Sequence, residues 1–120
     1  GELDIKIIDE KTGRAISIIE ALNLEYRNTS KINSHVLKLL HHYDSNGLKE
    51  NYIVVYASAK DFADLCRKYR DHLKKIDYAT FELEGDIEEA TTGFNKITAF
   101  RARHKCNKGE TILYHLLVEM

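Results

Sequence analysis

The chain has 120 residues, 43% of them hydrophobic and 31% charged, with a formal net charge of -1. That length fits one domain with a single modest core, and the near-neutral charge excludes a uniformly basic surface for non-specific DNA binding while leaving room for a local basic patch. Cys66 and Cys106 are too few for a disulfide framework, so free thiols in a reducing cytosol are expected. No apolar run is long enough to span a bilayer, and no basic-then-apolar leader is visible, so a cytoplasmic location without membrane contact is expected. Residues 1–120 read as a single domain, and the abrupt opening on a strand after Gly1-Glu2 points to a piece excised from a longer protein.

In chain order, Leu3, Ile5 and Ile7 alternate with Asp4 and Lys6, the two-residue period of a half-buried strand over 3–9. Thr12-Gly13 supplies a turn, and the β-branched run around Ile16, Ile18, Ile19 and Leu22 predicts a second strand over 14–22. Thr29 or Ser30 can cap a helix whose apolar stripe is Ile32, Val36, Leu39, Leu40 and Tyr43. Asp44-Ser45-Asn46-Gly47 would end it. The run 52–57 (YIVVYA) is apolar on both faces, which predicts a central strand covered on each side. Ser58 or Asp61 can start a second helix, with Phe62, Leu65, Cys66, Tyr69, Leu73 and Ile76 as its buried stripe.

The last third reads as strands over 78–84, 94–103 and 110–119, the final two joined by a turn at Cys106 to Gly109. The acidic stretch 86–92 reads as a helical turn or a loop. The segment 111–118 has a helical alternative, and a strand is preferred. The predicted order is β-β-α-β-α-β-β-β: an α/β (α+β) fold with one mixed sheet and two helices. Strand, helix, strand at residues 14–57 allows a parallel crossover unit.

Asp4 and Glu20 are the first candidates for chemistry. Two carboxylates on adjacent strands supply the oxygen ligands that Mg²⁺ needs, and such a metal can activate water for phosphodiester hydrolysis. They share a face only if the hairpin register pairs them. A lysine is expected nearby to stabilise charge; Leu22 stands two residues after Glu20, leaving Lys6 or Lys31 to serve. The bland alternative is a hairpin with solvated acids. As a strand-end carboxylate, Glu20 is expected to contribute little to stability.

The order of an acid on one strand, Glu20-Ala21-Leu22 on the next, a helix over 30–43 and an apolar strand over 52–57 resembles the core of the restriction-endonuclease-like, or PD-(D/E)XK, superfamily. The resemblance spans roughly the first 75 residues, a judgement from element order. It implies Mg²⁺-dependent cleavage of nucleic acid, with Asp4 and Glu20 as metal ligands and catalytic acids. Leu22 departs from the motif's lysine. Members that have lost catalysis keep the scaffold as binding or regulatory modules.

The six histidines are His35, His41, His42, His72, His104 and His115. None shows the helical spacing of four that marks zinc sites, and His41-His42 reads as a solvated helix end. Cys66 reads as packing, and Cys106 lies in a basic turn that favours a thiolate. Residues 60–75 and 101–108 are basic and 82–89 acidic, a mixed surface able to contact phosphates locally. Three functions follow as expectations: a degenerate nuclease-like domain that binds or regulates within a larger, bacterial-type protein; an active Mg²⁺ nuclease; or an unrelated interaction domain using exposed tyrosines. Self-association is expected through edge strands of the last third.

Overall fold

The computed structural model describes residues 4–43, 50–107 and 109–120. Alternating residues make the opening hairpin of β1 (Asp4–Ile8) and β2 (Ala15–Leu24). Asp9 closes its turn, with its Oδ1 accepting from the Lys11 and Thr12 amides at 2.8 and 3.2 Å. Gly13 takes φ 71°, which glycine adopts without Cβ strain.

Asn28, not Thr29 or Ser30, caps helix α1 (Thr29–Lys38), accepting from the Lys31 amide. A π-helical turn, Leu39–Tyr43, follows, and it turns both Leu39 and Leu40 into the core. The predicted stop at Asp44 to Gly47, the start of the first strand at Leu3, and Lys108 of the last turn lie outside the described residues. Strand β3 (Glu50–Ala57) leads to α2 (Phe62–Leu73), capped by Asp61. The chain ends in β4 (Glu82–Ala90), β5 (Ile97–Cys106) and β6 (Gly109–Glu119).

The six strands form one mixed sheet in the order β1-β2-β3-β6-β5-β4, as the α+β reading expected. The β2–α1–β3 unit is parallel, β3 and β6 are parallel, and the other neighbours are antiparallel. Three strand expectations differ from the structure: the strand expected over 94–103 runs from Ile97 to Cys106, with 94–96 in the preceding turn. Residues 78–81 form a turn whose Tyr78 and Phe81 side chains pack into the core, and Asp86 to Ala90 is strand, not loop. There Ile87 is buried, Glu88 lies opposite Arg101 and Glu89 opposite Phe100, so an acidic sequence is accommodated at a sheet edge.

Both helices lie on one face. Glu20 of β2 contacts His35 of α1, and His115 of β6 contacts Tyr69 of α2. Glu20 and His115 are joined in register through Ile53, so they share that face. Ile18, Leu22, Leu24, Ile53, Val55, Leu113 and Leu117 pack there against Ile32, Val36, Leu65, Tyr69 and Leu73. Among the described residues the predicted two-sided cover of β3 is not found: β3 is third of six strands, yet Tyr52 and Val54 are half-buried and Tyr56 is exposed.

Candidate functional site

The β1–β2 register sets Asp4 opposite Glu20, so the two acids occupy adjoining positions of one row. Glu20 is fully buried, at 0% exposure. His35 Nδ1 donates to its Oε1 across 2.5 Å. The expectation of a strand-end carboxylate with little effect on stability is therefore corrected. Glu20 stands in the same alternation as Ile18, Leu22 and Leu24, and α1 closes over it, so its carboxyl group is enclosed in the core and held there by hydrogen bonding.

Lys6 pairs with Ile18, two positions along from Asp4, and its side chain is exposed. Lys31 lies in the first turn of α1, one turn ahead of His35, and is half-buried beside Asn23 to Tyr26. Leu22 is buried in the core, so the position of the motif's lysine is a packing position. Mg²⁺ keeps several waters and prefers open carboxylate oxygens. A fully enclosed Glu20 engaged with an imidazole is a poor fit to that demand. Among the described residues no three His, Cys, Asp or Glu side chains gather as a metal group.

The sequence reading missed a second polar cluster, on the same face beneath α2. The Tyr69 hydroxyl lies 2.7 Å from His115 Nδ1 and donates to it when the imidazole is neutral. His104 Nδ1 donates to the Phe81 carbonyl at 3.1 Å, and its ring meets Tyr78 edge-on at 4.5 Å. The Tyr78 hydroxyl donates to the Leu73 carbonyl at 2.6 Å, satisfying the end of α2. Both histidines are fully buried, and the Nε2 of each has no partner among the described residues. Burial lowers His115 to about 3, with the neighbouring His104 adding repulsion. Burial likewise lowers His104 to about 4, against a smaller opposing effect of its backbone bond. Both imidazoles are thus neutral near pH 7. Burial also raises the Tyr69 and Tyr78 hydroxyls, which keeps them donors.

His41 is half-buried rather than solvated: its Nε2 donates to the Tyr78 carbonyl at 3.1 Å, and its ring packs edge-on against Phe81. Both thiols are free. Burial pushes the Cys66 thiol up, consistent with packing.

No family model and no curated protein matches the chain. The site must be judged from its own chemistry, and the other face of the sheet supplies more of it. Three strands carry a half-exposed apolar band there: Ile19 on β2, Val54 and Tyr56 on β3, Leu116 and Val118 on β6. Tyr52 and Tyr114 stack across β3 and β6 with ring centroids 5.2 Å apart. Beyond the band, the cations of β5 face the acids of β4, with Arg101 3.6 Å from Glu88 and Lys105 4.0 Å from Glu84. On α2, Asp64 bonds Arg67 and lies 2.9 Å from Lys68. The basic stretches at 60–75 and 101–108 are in this way partly neutralised by their own neighbours. Past the carboxyl ends of β2 and β3, where open α/β sheets commonly take ligands, lies an open cleft of about 720 Å³. Arg27, Lys60 and Lys68 line it together with Glu25, Asp61 and Asp64, so it favours neither sign of ligand. Among the described residues no helix is long and apolar enough to cross a membrane.

Proposed function

We propose that this domain is a degenerate nuclease-like scaffold that acts by binding a protein partner through the open face of its sheet. The observation that carries the non-catalytic part is the enclosure of Glu20 against His35, with Leu22 buried where the motif has lysine. The half-exposed band of Tyr52, Val54, Leu116 and Val118 supports a protein as the partner, because aromatic and aliphatic side chains dominate the cores of protein interfaces. Internal pairing of the β5 and α2 cations makes nucleic acid the weaker match.

The second reading, an active Mg²⁺ nuclease using Asp4 and Glu20 with Lys6 or Lys31, keeps one observation in its favour: the direct Asp4–Glu20 register. Plasmid nicking in Mg²⁺ or Mn²⁺ separates the two. The proposed reading expects no cleavage by the wild-type chain. Metal-dependent nicking that Glu20→Gln abolishes, in a variant still folded by circular dichroism, overturns it in favour of the enzyme. Leu116→Arg, in the middle of the band, should remove capture of a protein partner without loss of fold.

A further inference from the structure

The two edges of the sheet differ in how they are defended. At one edge, β4 carries Glu82, Glu84, Asp86, Glu88 and Glu89, and its pairing with β5 is broken between Glu84 and Glu88. Gly85 sits in that break at φ 68°. Charge and irregularity of this kind discourage a further strand from pairing. The other edge is β1, which among the described residues pairs with β2 alone. Its residues Ile5, Ile7 and Ile8 are 45%, 43% and 53% exposed, and Ile16 beside them on β2 is 52% exposed. The β1–β2 pairing stays regular from Asp4 to Ile7, with its one shift between Ile7 and Ile8. An accessible run of β-branched residues on a sheet edge is a template for another strand.

We propose that β1 pairs antiparallel with β1 of a second copy of this chain, around a two-fold axis at Ile5. The charge pattern Asp4-Ile5-Lys6 selects both the partner and the register. With the axis at Ile5, Asp4 stands opposite Lys6 of the second copy and Lys6 opposite its Asp4, while the two Ile5 residues meet. An axis at Lys6 would set lysine against lysine, and like charges directly opposite destabilise a strand pair. The contact is isologous, so it closes at two copies and joins the two sheets into one. It uses the edge and not the open face, and stands or falls separately from the partner proposed above.

Sedimentation equilibrium over a wide concentration range tests it. The wild-type chain should pass from monomer to dimer as concentration rises. Lys6→Asp and Asp4→Lys should each weaken the dimer by about ten-fold or more, because each turns two attractive cross-strand pairs into repulsive ones. The double variant Asp4→Lys/Lys6→Asp should restore the wild-type dimer. Ile5→Thr, which keeps a β-branched residue on the axis, should weaken association with no change of charge. A monomer at every concentration overturns the proposal. So does a dimer indifferent to both single reversals, or a double variant no tighter than either single one.

Discussion

The two faces of the sheet solve opposite problems. Under the helices, polar groups are taken out of water and held by specific partners: Glu20 with His35, Tyr69 with His115, His104 with the Phe81 carbonyl. On the bare face, Tyr52, Tyr114 and Leu116 remain half in water, and charges such as Arg101 and Glu88 meet at the surface. A buried polar group costs its desolvation whenever its partner is lost, whereas a half-exposed side chain is rescued by solvent. The covered face should therefore govern stability, and the bare face should govern recognition.

The sharpest way to break this contrast is acid. Burial lowers His115 to about 3 and His104 to about 4, from an ordinary value of 6.5. The folded state therefore holds these protons more weakly than the unfolded chain. Their stabilisation is complete above about pH 6.5 and is lost as the pH falls towards the folded values, at up to about 1.4 kcal/mol per pH unit for each histidine. Urea unfolding between pH 7 and pH 4 should show a loss of several kcal/mol in all. A flat profile would mean that these imidazoles are hydrated.

Glu20→Ala comes next, with an expected cost of about 3–5 kcal/mol, since it leaves His35 facing an apolar gap. Glu20→Gln keeps the volume and an acceptor and should cost less. Equilibrium denaturation of both variants measures the difference. Tyr69→Phe removes the hydroxyl from His115 and should cost about 1–3 kcal/mol in the same measurement. The smallest effect belongs to the bare face. Leu116→Arg should change stability by no more than about 1 kcal/mol, because its long side chain can reach water. A larger loss would show that this face is part of the core.

Element order was legible because the chain's periods are clean. Leu3 to Ile7 alternates, Ile32 to Leu40 follows a helical stripe, and Tyr52 to Ala57 is continuously apolar. The last third was harder. Tyr78 and Phe81 are apolar enough to read as strand, yet they anchor a turn. The acids of 86–89 read as loop, yet the segment joins the ladder, with Glu88 opposite Arg101, Glu89 opposite Phe100 and Ile87 buried. The burial of Glu20 had a signal in its parity with Ile18 and Leu22. His104 shares parity with Phe100 and Ala102, and His115 with Leu113 and Leu117. What parity could not supply was the partner. His35 and Tyr69 reach these residues from helices fifteen and forty-six positions away in the chain, and only the crossover of each helix onto the sheet brings them there.

The placement of β6 bears on how the chain is made. This strand is the last of the six to leave the ribosome, yet it sits between β3 and β5 and bonds along both. Until it emerges, the amino-terminal strands and the β4–β5 hairpin have no shared ladder, and an apolar β3 edge stays bare. Closure must await nearly the whole nascent segment, so premature termination before Gly109 should yield a species dependent on chaperones rather than a smaller working domain.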